Sequence, residues 1–119
     1  MTSTSKMERT RYVIVYYHYE RMLREDELRK IFTYQLNRLF GIKGSLDMGL
    51  FLAWVHPSDT LVILRSSHNN VVKLLCSTFF ISDFMDKSLS IIPLKITGSI
   101  KNAKSIALSK NWSEQLNKH

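Results

Sequence analysis

The stretch Ile96-Thr-Gly-Ser-Ile-Lys-Asn-Ala-Lys104 gathers residues whose types and spacing could act together on a ligand. Gly98 permits a sharp turn from a strand into a helix, and Ser99 is a good N-cap for that helix. Lys101 then falls in the first helical turn and Lys104 one turn later, on the same side. A lysine near a helix N-terminus opposes the helix dipole, by up to about 1 kcal/mol at an exposed site. A bound anion reverses that sign, because it meets free backbone N–H groups, the dipole and the lysines at once. The pattern suits a phosphate. An ordinary capped helix with solvated lysines would use the same residues, and the net charge of the chain weighs for the anion.

The remaining residue chemistry does not point to catalysis. His18, His56, His68 and His119 show no i, i+4 pairing and no carboxylate at metal-ligand spacing. Cys76 is the only cysteine, which excludes an intrachain disulfide and a thiolate-rich zinc site and suits a reducing compartment. It falls on the apolar side of a predicted helix, which predicts a buried, inert thiol. There is no Gly-rich phosphate loop and no serine nucleophile elbow. The expectation is no catalytic residue, no metal ligand and no activity from the chain alone.

The elements that must position the turn are readable from periodicity. Arg11 to Tyr19 is dense in β-branched and aromatic residues and predicts a strand buried on both faces. In Glu25–Phe40, Leu28, Ile31, Phe32, Gln35, Leu36 and Leu39 form one apolar helical stripe, with three acids at its start and Gly41 as its stop. Gly44 and Ser45 are expected to break the chain before a second strand, Leu50–Val55. His56-Pro-Ser-Asp59 has turn chemistry, and Thr60–Arg65 completes a hairpin. Ser66 or Ser67 can cap a second helix through Val71, Val72, Leu74, Leu75, Thr78 and Phe79. Leu89–Thr97 is a fourth strand in which Pro93 asks for an edge position or a bulge. A third helix runs from Ser99 to about Leu108, and the last residues are polar.

This order predicts an α+β fold of the ferredoxin-like, RRM-like split β-α-β type. It would have a four-stranded antiparallel sheet, two packed helices and a C-terminal helix. With 119 residues, the chain is read as a single domain over 1–119, its core at about 9–108 between polar tails. The third strand lacks the aromatic and glycine of a base-stacking RNA recognition motif. The free sheet face instead carries apolar residues, which predicts cover by extra helices or a protein partner, with Leu50, Leu52, Trp54 and Leu64 as interface candidates.

Charge is concentrated at the chain ends. The total is +7, made of +4 over residues 1–43, −2 over 44–86 and +5 over 87–119. An anion should therefore be gripped by both ends brought together, and nucleic acid heads the list of such partners. The first eleven residues lack a signal-peptide core, and apolar runs such as Gly49–Val55 are too short to span a bilayer. The reading is a soluble intracellular protein without a membrane partner.

Arg11-Tyr12 opens the first strand, Ile63-Leu64-Arg65 ends the third just before a helix, and Gly98-Ser99-Ile100-Lys101 turns the fourth into the last helix. In this order and spacing they resemble the ribonuclease P protein family often called Pop-five, component two of the archaeal enzyme. That family has an Arg-Tyr pair, a Leu-Arg plus small residue, and a Gly-Thr-Ile-Arg/Lys turn, here with Ser for Thr. Ser66 departs from the Cys of many relatives.

The resemblance implies an accessory RNA-binding subunit of the ribonucleoprotein that removes the 5′ leader from precursor tRNA. Arg11, Arg65, Gly98, Ser99 and Lys101 are the matching positions, and Lys104 joins them from helix geometry. The partners implied are the catalytic domain of ribonuclease P RNA, a TIM-barrel protein subunit and, in a two-plus-two assembly, a second copy of this chain. Precursor tRNA would be met indirectly. The protein itself would hold no cofactor, Mg2+ being expected in the catalytic RNA. Location would be cytoplasmic for an archaeal protein and nucleolar for a eukaryotic one. The competing expectation is a ferredoxin-like regulatory module or oligomeric scaffold that binds no RNA.

Overall fold

The run of branched and aromatic residues after Thr10 forms β1 (Thr10–His18), and Val13 to Tyr17 are all buried. The computed structural model describes residues 9–47 and 51–117. Around β1 stand β2 (Phe51–Val55), β3 (Leu61–Ser67) and β6 (Ser90–Thr97), in an antiparallel sheet of order β2-β3-β1-β6. That is the split β-α-β arrangement expected from the element order. β4 (Asp83–Phe84) and β5 (Lys87–Ser88) make a small separate hairpin. β6 is an edge strand, and its register against β1 shifts between Ile14 and Val15, whose partners are Lys95 and Pro93. Both devices accommodate a residue without an N–H.

Helix α1 (Glu25–Asp47) opens with three acids, and Glu27 accepts the backbone N–H of Arg24 at 2.9 Å, one half of a capping box. Gly41 interrupts it at φ 73°, ψ 168°, the stop that the sequence suggested. The backbone then resumes helix to Asp47. Gly44 and Ser45 therefore do not break the chain; a positive φ at Gly41 does, in a conformation that costs glycine little.

A 3-10 turn, His68–Asn70, precedes α2 (Val71–Phe79), and Ser67 makes no side-chain capping bond to it. The late start rotates the helix relative to the predicted stripe. Val71, Leu74, Ser77 and Thr78 face inward, whereas Val72 and Phe79 are 70% and 84% exposed. Cys76 is exposed as well, correcting the expectation of a buried thiol. The chain ends in α3 (Ile100–Leu108) and α4 (Trp112–Asn117).

The sheet has a core on each face. Val13, Val15, Tyr17, Val62 and Leu64 point toward α1 and α2, and pack with Leu28, Phe32, Leu36 and Leu74. Ile14, Tyr16, Leu61 and Ile63 point the other way, against Ala103 and Ala107 of α3, with Trp112 and Leu116 of α4 packed alongside. The interface proposed for a bare sheet face is corrected accordingly. Leu52 and Leu64 are buried in the first core, and Trp54 packs into the second beneath the C-terminal helices. Leu50 lies outside the described residues. Period-two alternation assigned two faces but did not say which helices cover each.

Candidate nucleic-acid interface

Strand register assembles one end of the sheet from three distant segments. Arg11 pairs with Ser66, and Tyr12 pairs with Arg65 on one side and Thr97 on the other. β1 therefore begins where β3 and β6 end. Arg11, Arg65 and the turn at Gly98 share that end, together with the first turn of α3. Neighbouring strand residues alternate faces, so Arg65 belongs to the α3 side and Arg11 to the α1–α2 side.

The turn is held by its own hydroxyls. Thr97 Oγ1 donates to the Ser99 carbonyl at 2.8 Å and accepts the Ser99 N–H at 3.2 Å. Ser99 Oγ accepts the Asn102 N–H at 3.2 Å, the N-cap bond anticipated from sequence, and its carbonyl accepts the Ala103 N–H at 3.0 Å. The N–H groups of Ile100 and Lys101, in the first turn, have no intrahelical partner. Lys101 and Lys104 are exposed. Arg11 Nη1 donates to the Thr10 carbonyl at 3.1 Å and lies 3.4 Å from where a Cβ on Gly98 would stand. Gly98 itself lies outside the left-handed region, and a Cβ there would make an ordinary contact, so neither a positive φ nor crowding demands a glycine at this turn.

Within the three segments that meet here, charge has one sign. Segments 9–12, 64–68 and 95–104 hold Arg9, Arg11, Arg65, Lys95, Lys101 and Lys104 and no acidic residue. Arg9 and Lys95 were not singled out from sequence. Arg9 is brought in by its carbonyl, which accepts the His68 N–H at 2.6 Å, and Lys95 by its pairing with Ile14. Only the register reveals either. Around the start of α1, Arg21 grips Glu27 through two bonds of 2.9 and 2.7 Å, Arg24 pairs with Asp26, and Arg29 with Glu25.

Among the described residues, no group of three or more His, Cys, Asp or Glu is placed to hold a metal, and no helix is long and apolar enough to cross a membrane. His56 serves a turn instead, its Nδ1 accepting the Ser58 N–H at 3.0 Å.

A split β-α-β sheet covered by helices on both faces, with cations gathered at three strand ends, defines an α+β domain whose basic residues lie at its loops and helix start rather than on its sheet. The model of the Rpp14/Pop5 family of ribonuclease P proteins matches residues 11–108, and the chain belongs to that family. The match runs from Arg11 to the end of α3 and contains the Arg11-Tyr12, Ile63–Arg65 and Gly98–Lys101 motifs. No curated protein sequence matches the chain. In the cryo-EM structure of yeast ribonuclease MRP, one chain shares the fold at a TM-score of 0.63 and 15% identity, over 93% of this chain and 94% of that one.

Proposed function

We propose that this protein is a non-catalytic subunit of a ribonuclease P-type ribonucleoprotein, and that it grips RNA phosphates at the end of the sheet where Arg11, Arg65, Lys101 and Lys104 converge. Family membership supports the class of particle. The observation that carries the contact surface is the double pairing of Tyr12 with Arg65 and Thr97, which draws basic segments from both ends of the chain together. Contacts of this type position RNA without reading its bases. In this reading the RNA binds Mg2+ and cleaves the 5′ leader of precursor tRNA, while the protein braces the catalytic domain beside a TIM-barrel subunit.

The test is affinity measured across a salt series, for the catalytic domain of a ribonuclease P RNA and for an unrelated hairpin of equal length. Replacing both Lys101 and Lys104 by Ala should flatten the slope of log affinity against log salt by about one to two units on both RNAs. Folding should be unchanged by circular dichroism. An unaltered slope in the folded double variant returns the turn to an ordinary helix cap.

A further inference from the structure

A separate surface feature lies on the α1–α2 layer of the molecule, between α1 and the segment after α2. Here a groove of about 370 Å³ opens between Tyr34, Gln35 and Arg38 on one wall and Phe80 and Met85 on the other. Its lining is mainly apolar, and Tyr34, Phe80 and Met85 are 67%, 64% and 71% exposed. Single exposed apolar side chains need no explanation, but three around one cleft do.

Gln35 supplies a second, independent observation. Its side chain is buried, with 4% of the residue exposed, yet its Nε2 has no hydrogen-bond partner. An orphaned buried donor costs stability, and such groups in native structures call for an explanation. This one lines the groove, where an incoming acceptor would satisfy it. Lys30 and Arg38, each within a turn or so of Tyr34 on the same helix, add positive charge to that wall. Asp83 is the single acid in the lining, and it stands on the opposite wall.

The walls are preset. The Tyr19 hydroxyl donates to the Phe84 carbonyl at 2.8 Å, and the Leu89 N–H donates to the Ser82 carbonyl at 3.0 Å, so the second wall is tied to the core. A groove fixed before binding spares its ligand the ordering cost.

We infer that this groove docks a peptide segment of a partner protein: an apolar anchor side chain in the cleft, a backbone carbonyl accepting from Gln35 Nε2, and acidic flanks along Lys30 and Arg38. Methionine and aromatic rims adapt to such anchors. A peptide fits better than a nucleotide, because the lining is mostly aliphatic and aromatic and one wall carries Asp83. The inference does not depend on the RNA contact, which gathers at the strand end where α3 begins and shares no residue with the groove.

The probe is a display library of random twelve-residue peptides selected on the full-length protein, with enriched sequences remade and titrated by NMR. Enriched peptides should carry an aromatic or leucine anchor beside Asp or Glu and shift amides of α1 and residues 80–85. Gln35→Met, unbranched like glutamine but without the amide, should weaken them at least tenfold while melting no lower than the parent protein. A merely structural Gln35 would lower both together. Tyr34→Ala, at an exposed position that leaves the core intact, should weaken them similarly. The proposal is overturned if no sequence is enriched, or if both variants bind as tightly as the parent. It is equally overturned if AMP, CMP, GMP or UMP shifts the groove amides and no peptide does.

Discussion

Ile63 and Leu64 are neighbours on β3, both fully buried, and they point into two differently made cores. Leu64 faces α1 and α2 through large aliphatic and aromatic side chains. Ile63 faces two short helices, in a cluster where Ala103 and Ala107 of α3 are fully buried and Trp112 and Leu116 of α4 pack against it. The first core is contributed by the helices between the strands. The second is closed by chain beyond the last strand, at small residues that let α3 lie close to the sheet. A sheet that is apolar on both faces is thus covered on both by the chain's own helices.

The largest effect should come from breaking that comparison at its centre. Leu64→Ala should cost about 4 kcal/mol, because its neighbours are locked in a dense cluster and leave a cavity. Ile63→Ala should cost about 2–3 kcal/mol, since α3 and α4 can settle toward the sheet and fill part of the space. Urea denaturation of both variants tests this. Equal losses would show that the second face is as rigidly packed as the first.

Each face is also fastened by one buried carboxylate, and the two are held by different means. Asp59, in the β2–β3 turn, accepts the Thr60 N–H at 2.7 Å and, across the molecule, the N–H groups of Trp112 and Ser113 at 3.0 and 3.3 Å. The Ser113 hydroxyl also donates to it. Asn111 is the local N-cap of α4, its Oδ1 accepting the Glu114 N–H at 3.1 Å, and Asp59 adds a second cap supplied from a distant turn. Asp59→Ala should therefore cost about 1–2 kcal/mol, in the range of a lost helix cap, and free Trp112 from the second core. Near-ultraviolet circular dichroism reports the tryptophan. An unchanged signal would show that α4 docks by its apolar face alone.

That remote cap explains what the sequence did and did not reveal. β1, the hairpin, the α1 stripe with its stop at Gly41 and the irregularity at Pro93 are local patterns, and each was legible. So were the Ser99 cap and the lysines after it. The last ten residues were read as a polar tail although Asn111 and Glu114 carry a local cap signal; what no local pattern shows is the docking of Trp112–Asn117 through Asp59, a contact between positions 53 residues apart. Cys76, Val72 and Phe79 were placed inside because the helix phase depends on the 3-10 turn before Val71. Leu52 and Leu64 were assigned to a partner surface because alternation is symmetric between two apolar faces. Arg9 and Lys95 join the cationic end only through register.

Glu27 fastens the other layer through charge. It caps α1 and takes two bonds from Arg21, and these bonds, with that from the Arg24 N–H, lower its pKa from 4.5 to about 2. A carboxylate depressed on folding contributes stability that is complete above its unfolded pKa and lost as pH falls through the folded one. Its contribution should thus fade between about pH 4.5 and pH 2. Burial raises the pKa of Asp59, yet the hydrogen bonds from Ser113, Thr60 and Trp112 outweigh it and hold the value below 3.8. Both anchors weaken in acid, but only one should respond to salt. Glu27→Gln should remove part of the loss below pH 4.5 and part of the salt sensitivity of melting, since Arg21 is partly exposed and screened. The Asp59 anchor, built on neutral donors, should melt alike at low and high salt. Equal salt responses in the two variants would erase the distinction.

The smallest effect sharpens the comparison at the cationic end, which belongs to neither core. Gly98 is not in a left-handed conformation, and a Cβ there would meet Arg11 Nη1 at 3.4 Å, an ordinary contact with the far end of a flexible side chain. Gly→Ala at a compatible backbone position stabilises by about 0.4–1 kcal/mol through the unfolded chain. Gly98→Ala should therefore melt at or slightly above the parent temperature, unlike any core variant. The methyl group fits beside the Arg11 guanidinium in ordinary contact, so RNA affinity should be nearly unchanged while the fold is kept. Gly98→Ala combined with Arg11→Ala should bind no more weakly than Arg11→Ala alone, because the methyl group leaves the N–H groups of the first turn open. Additive losses in the double variant would mean that the glycine serves RNA directly, by letting a phosphate approach the backbone at the start of α3.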